Sequence, residues 1–235
     1  MPSSPRSTAA DTRVGGAFPP KQGMYNPAFE KDACGLAMVA TLRGEAGHDI
    51  VDLALTALRN LEHRGAIGSD AGTGDGAGIL TQMPDDFFRA VVEFDLPPVG
   101  EYAAGLAFLP LDADARRTLK DRIADLAATE GLTVLGWRAV PTADEHLGKL
   151  AFDARPAFEQ VFLSHPASGG NAALSGIDLD RRAYRLRKRA QHELDAYFVS
   201  LSCRTIGYKG MVLPDKLARF YTDLQRADLA SSAIV

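Results

Sequence analysis

Residues 61–80 read LEHRGAIGSDAGTGDGAGIL: the end of a helix, a glycine-rich loop and the opening of an apolar strand. Six glycines fall between positions 65 and 78, four of them alternating as Gly72, Gly74, Gly76 and Gly78. A dinucleotide fingerprint follows a strand and opens a helix, the reverse of the order here. No Lys-Ser or Lys-Thr follows, so the loop is not a phosphate-binding P-loop either. Two readings remain. The glycines supply the positive φ of a tight turn, or they let the backbone pass close to a substrate or another strand. Asp70 and Asp75 lie among them, but two carboxylates without a full set of oxygen ligands define no metal site.

Upstream, Val51, Ala54, Leu55, Leu58 and Leu61 recur at offsets of three and four and make one helical stripe, with Asp52, Arg59 and Asn60 off it. Asp49 is placed to cap this helix, and Gly65 to end it. The mostly apolar run Cys34–Leu42 suits a short buried strand. Met1–Met24 is rich in Ser, Pro, Gly and Ala and has no hydrophobic period. It lacks the apolar core of a secretory signal, and Gly15-Gly16 and Pro19-Pro20 interrupt any transit-peptide helix. Residues 1–33 therefore read as a leader and 34–235 as the ordered domain.

Downstream, Ala77–Met83 and Tyr102–Leu109 read as strands, with Pro84 opening a short helix between them. Asp112 caps a helix with Ala115, Leu119, Ile123 and Leu126 on one face, and Gly131 ends it. Leu132–Val140 and Phe158–Leu163 are further strands. Asp178–Leu194 is a helix dense in basic residues; Tyr197–Ser202 and Thr205–Met211 read as a strand pair, and Pro214–Leu224 as a helix. Ser231–Val235 begins one more strand. Strands interleaved with helices predict a layered domain of mixed α and β structure.

The composition is that of a soluble globular chain: 235 residues, 46% hydrophobic, with a net charge of −4. Mild acidity argues against a nucleic-acid partner or an anionic membrane surface, and no apolar run has the length of a membrane span. Two cysteines, Cys34 and Cys203, are too few for a disulfide scaffold and suit a reducing compartment, the cytoplasm. The five histidines form no HExxH pair and none stands by a CxxC, so no zinc site is expected. Arg181, Arg182, Arg185, Arg187, Lys188 and Arg189 spread around their helix, as on a solvated face or one docking on a neighbouring domain.

Cys34, in Asp32-Ala33-Cys34-Gly35, stands where the leader meets the first strand. It is either a small buried hydrophobe or a nucleophile. Cleavage at Ala33–Cys34 would leave a new α-amine, of reference pKa about 7.7–8.0, a few bonds from the thiol. Such an amine takes the thiol proton without a distant histidine.

Taken together, three ordered motifs resemble the amino-terminal region of glutamate synthase large subunits. They are Glu30-Lys31-Asp32-Ala33-Cys34-Gly35, Leu61-Glu62-His63-Arg64-Gly65-Ala66 and Thr73-Gly74-Asp75-Gly76-Ala77-Gly78-Ile79-Leu80. Ser202-Cys203-Arg204-Thr205-Ile206 and Tyr208-Lys209-Gly210-Met211 look like the same family, so the likeness covers residues 25–235. Ala37-Met38 departs from the Gly-Phe of many relatives, a change of packing.

The resemblance implies a class II glutamine amidotransferase domain with the N-terminal-nucleophile hydrolase fold, an α+β four-layer αββα sandwich, here incomplete at its C-terminus. It implies that residues 1–33 are a propeptide, that Cys34 attacks L-glutamine with its own α-amine as base, and that Arg64 orients the terminal residue. The family's oxyanion and glutamine-binding residues are expected beyond Val235, so the isolated fragment is expected to be inactive. No cofactor is expected in this chain. The full-length family enzyme uses FMN and an iron–sulfur cluster in synthase domains that follow in cis, and a small NADPH-oxidising subunit is a further implied partner. The ammonia would serve reductive amination of 2-oxoglutarate to glutamate. Two alternatives stay open: another class II amidotransferase with a sugar-phosphate or phosphoribosyl acceptor, and a truncated product without catalysis.

Overall fold

The structure is a computed structural model that describes residues 21–23, 26, 35–62, 70, 72–167 and 172–235. The chain divides into two units, Met1–Ala33 and Cys34–Val235, and the helices and strands of the described residues belong to the second.

In chain order they are β1 (Val39–Ala40), α1 (His48–Asn60), β2 (Ala77–Gln82), α2 (Asp85–Val91), β3 (Tyr102–Leu109), α3 (Ala113–Thr129), β4 (Thr133–Ala139), α4 (Lys149–Asp153), β5 (Ala157–Ser164), α5 (Gly176–Glu193), β6 (Tyr197–Phe198), β7 (Thr205–Gly210), α6 (Leu217–Phe220) and β8 (Ala233–Ile234). Two antiparallel sheets result, one ordered β1-β8-β2-β7 and the other β4-β5-β3-β6. The domain is therefore α+β, as the sequence predicts.

Period-two alternation explains how the second sheet is held on both faces. On β3, Tyr102, Ala104 and Leu106 join a core with Phe87 and Phe88 of α2, Ile79 of β2 and Tyr208 of β7. The intervening Ala103, Ala107 and Leu109 join a second core with Ile123 and Leu126 of α3 and with Leu179, Ala183 and Leu186 of α5. With both faces buried, β3 carries no charged side chain. Of the predicted α1 stripe Val51, Ala54 and Leu55 are buried, Leu58 and Leu61 are half-buried, and Ile50, outside the predicted stripe, is buried as well; the helix rests on β1, β2 and β8.

Several local expectations change. Helix α1 starts at His48 after Gly47, so Asp49 lies in its first turn, and the helix stops at Leu61. Asp112 caps α3 as expected, its carboxylate accepting the Ala115 N–H at 2.8 Å. The segment Pro214–Leu224 breaks at Tyr221 into α6 and a 3-10 turn, Thr222–Gln225. Tyr197–Ser202 and Thr205–Met211 are not a hairpin. β6 pairs with β3 in one sheet and β7 with β2 in the other, so the chain changes sheets between them. The crossing is fastened by Ser200 Oγ, which accepts the Gly207 N–H at 2.8 Å, and by the Ala104–Ser202 bridge.

Candidate active site

Cys34 and Arg64, the two site residues predicted from sequence, lie outside the described residues, and so does His63. The site is therefore built from their described neighbours.

Gly35, next to Cys34 in the chain, opens a cleft of about 60 Å3 whose walls include Ala57 and Leu58 of α1, Gly78 and Ile79 of β2, and Val235. The cleft exists because the first sheet closes around it. Val39 and Ala40 pair with Ile234 and Ala233 of β8, while Leu80 and Val235 exchange both backbone hydrogen bonds, at 2.7 and 3.0 Å. The carboxamide oxygen of Gln82 holds the approach to β8, accepting the Ser232 N–H at 2.9 Å and the Ser232 hydroxyl at 2.7 Å.

Among the described glycines of the loop, both readings occur: close backbone approach at Gly72 and Gly78, positive φ at Gly76. A Cβ on Gly78 would stand 2.9 Å from the Tyr208 carbonyl oxygen, and one on Gly72 would stand 2.7 Å from the Cα of Gly148. Gly76 alone among Gly72, Gly74, Gly76 and Gly78 has positive φ, +128°. The partners of these approaches are a strand and the α4 terminus.

Asp70 has a structural use that sequence reasoning missed. Its Oδ1 accepts the Thr73 N–H at 2.8 Å and its Oδ2 accepts the Leu150 N–H at 2.9 Å, while Thr73 Oγ1 accepts the Ala151 N–H at 3.3 Å. The loop thus satisfies two of the unpaired N–H groups at the start of α4. Hydrogen bonding from Thr73 and then from Leu150 holds the Asp70 carboxyl below the usual carboxylate range. The Asp-x-x-Thr spacing was visible in the sequence; its distant target was not. Among the described residues, no group of three His, Cys, Asp or Glu gathers to hold a metal ion.

Cys203 is buried, its thiol donates to the Gly176 carbonyl at 3.1 Å, and its backbone N–H donates to Asp180 at 2.7 Å. Burial first, then the adjacent Asp180, push the thiol up to about 12. A thiol so protonated is no nucleophile at neutral pH. The two sheets also share a buried polar cluster that no sequence motif announces. Arg138 of β4 donates to Gln160 of β5 and to Asp223, and Tyr208 of β7 donates to Asp223 at 3.0 Å.

Against this geometry, the family model of the class-II glutamine amidotransferases matches residues 34–235. The chain belongs to that family. It is similar to glutamate synthases: 42% identical over 215 residues to the glutamate synthase [NADPH] large chain of Bacillus subtilis (strain 168), covering 88% of this chain and 14% of that protein. It is 36% identical to the glutamate synthase [NADH] of Schizosaccharomyces pombe, over 92% of this chain and 11% of that one. The ferredoxin-dependent glutamate synthase 2 of Synechocystis sp. is 37% identical over 88% of this chain and 13% of its own. The chain thus spans about a seventh or less of the length of these relatives.

Proposed function

We propose that residues 34–235 are the glutaminase part of a glutamate synthase, and that removal of residues 1–33 as a propeptide makes Cys34 the amino terminus. The observation that carries this reading is that the family match begins at Cys34 itself. The glutamate synthases aligned over nine-tenths of the chain give it its direction. The contacts of α1 with the first sheet, and of α3 and α5 with the second, support a four-layer αββα arrangement of the N-terminal-nucleophile kind.

With Cys34 terminal, its α-amine takes the thiol proton, and Sγ attacks Cδ of the glutamine side chain. The tetrahedral oxyanion collapses, the amine returns the proton to the leaving nitrogen, and ammonia departs from a γ-glutamyl thioester. Water then adds to the thioester with the amine again as base, Sγ leaves, and glutamate is released. Arg64 orients the terminal residue in this reading. Gly35, the residue after the proposed nucleophile, lines the cleft together with apolar side chains of α1 and β2.

In the complete enzyme the ammonia would meet 2-oxoglutarate, and the resulting imine would be reduced to glutamate. FMN and an iron–sulfur cluster would supply the electrons for that reduction. The described residues gather no three metal ligands for the iron–sulfur group, and the thiol of Cys203 is committed to a carbonyl. In this proposal FMN, the iron–sulfur cluster and an NADPH-oxidising small subunit belong to the rest of the assembly. The cytoplasm is the proposed place, on the grounds of the sparse cysteines. Among the described residues no helix is long and apolar enough to cross a membrane.

The test is the intact mass and first residue of the protein from its own cells, followed by labelling with an electrophilic glutamine analogue. A polypeptide that begins at Cys34 and carries the label there is expected, with labelling abolished by Cys34→Ala. A chain that still begins near Met1 and takes no label would overturn the proposal.

A further inference from the structure

Helix α5 carries six Lys or Arg and three Asp or Glu, a local charge of +3 in a chain whose net charge is −4. Its buried face is Leu179, Ala183, Leu186 and Ala190. Opposite that face, Ile177, Arg181, Tyr184 and Lys188 follow one another at offsets of four, three and four, a single outward stripe. Ile177 is 52% exposed and Tyr184 56%. An open groove of about 760 Å3 runs along Ile177, Arg181 and Tyr184, bordered also by Leu174 and Arg185.

Two of the three arginines that line this groove have a carboxylate partner. Arg185 lies 3.2 Å from the buried carboxylate of Glu130, Arg181 donates to Asp178 at 2.8 Å, and Lys188 stands over the Tyr184 ring at 5.9 Å. Among the described residues Arg182 and Arg187 have no ion-pair partner. Cations and half-exposed apolar side chains thus stand side by side along the groove.

We infer that the outward stripe of α5 is a docking surface for an acidic protein segment that inserts an apolar side chain between Ile177 and Tyr184. Charge complementarity selects the sign of the partner: outside α5 the chain carries a net negative charge, and an acidic partner finds a strongly cationic helix here. The apolar side chains of the lining, Leu174, Ile177 and Tyr184, favour a protein segment over a phosphate backbone, which gains nothing from them; Asp178 and Asp180 also line the groove and leave its three arginines in excess by one charge.

The experiment places the photo-cross-linker p-benzoylphenylalanine at Tyr184 of the complete polypeptide in its own cells, with the same group at exposed Leu111 as the control. The expected adduct, sequenced by mass spectrometry, is one defined peptide with an excess of Asp and Glu around the joined apolar residue. Reversing the stripe with Arg181→Glu and Lys188→Glu should lower its yield at least tenfold while leaving the thermal midpoint unchanged. Adducts no more abundant than at Leu111, adducts to nucleic acid, or adducts to peptides without an acidic excess would each overturn the inference. So would a yield indifferent to the charge reversal. None of these readouts depends on glutaminase activity, so the inference and the proposed function fail separately.

Discussion

Arg138 and Asp223, 85 residues apart in the chain, form a two-pronged ion pair in which Nη1 and Nη2 each lie 2.7 Å from a carboxylate oxygen. Asp223 is 1% exposed and the Arg138 side chain 10%. The pair is completed by Gln160, which accepts from Arg138 at 2.8 Å and donates to Tyr208 at 3.0 Å, and by Tyr208, which donates to Asp223. Burial drives the Tyr208 phenol well above its ordinary value, so it remains a donor throughout the working range. One polar cluster thus links β4 and β5 of one sheet to β7 of the other.

Removing one member strands a buried charge. Asp223→Ala is expected to destabilise the protein by about 3–5 kcal/mol, while the double change Arg138→Met with Asp223→Leu recovers much of that loss. Urea unfolding of the two variants beside the parent measures both. A loss under about 1 kcal/mol for Asp223→Ala would show that water reaches the pair.

The Asp70 lock has a pH signature. Its carboxyl titrates below the ordinary value because Thr73 and Leu150 hydrogen-bond the charged form. A depressed folded pKa gives stability that is fully present above the unfolded value, about 3.9, and is lost as pH falls through the folded one. The stability difference between the parent and Asp70→Ala should therefore be constant above about pH 5 and shrink towards zero in stronger acid. Urea midpoints from pH 2 to pH 7 trace it. A difference that grows on acidification would refute the assignment.

Those two features also mark the limit of what sequence discloses. The α1 stripe was legible because it repeats its period over several turns, as with Val51, Ala54 and Leu55, and the β3 strand because it is an unbroken apolar run. The supposed hairpin at Tyr197–Met211 was not, because alternating apolar runs state that a segment is a strand and not which sheet it joins. That choice is made by pairing with β3 and β2, about a hundred residues earlier in the chain. Asp70, Arg138 and Asp223 escaped for the same reason: their partners lie about 80 residues away. Cys34 and Arg64 are proposed from motif alone, and both lie outside the described residues.

Gly72 and Gly78 of the loop need their missing side chain, whereas Gly210 on the neighbouring strand β7 does not. Gly72→Ala and Gly78→Ala would drive a methyl group against backbone atoms at 2.7 and 2.9 Å. Each is expected to destabilise by about 1–3 kcal/mol, the cost of overpacking. Gly78→Ala should also lower glutaminase activity, since Gly78 walls the cleft beside Gly35. Gly210→Ala is the contrasting case: its nearest new neighbour is 3.7 Å away, an ordinary contact, and its φ is not positive. A stability change within about 0.5 kcal/mol is expected there. Equal losses at all three positions would mean that strand propensity, and not close approach, governs the loop.

The two cysteines should differ sharply in reactivity. With its thiol pushed up to about 12, Cys203 exposes a thiolate fraction on the order of one in ten thousand at pH 8. Its sulfur also has little room, since the residue is 3% exposed and donates to the Gly176 carbonyl. Iodoacetamide at pH 8 should therefore leave Cys203 unmodified in the folded protein and alkylate it once urea unfolds the chain. Cys203→Ala should leave labelling of Cys34 by the glutamine analogue unchanged. Peptide mass mapping before and after unfolding reads both outcomes. If the analogue were found on Cys203 in the folded protein, the nucleophile would have been misassigned, because a buried, hydrogen-bonded thiol would then be reacting ahead of one activated by its own α-amine.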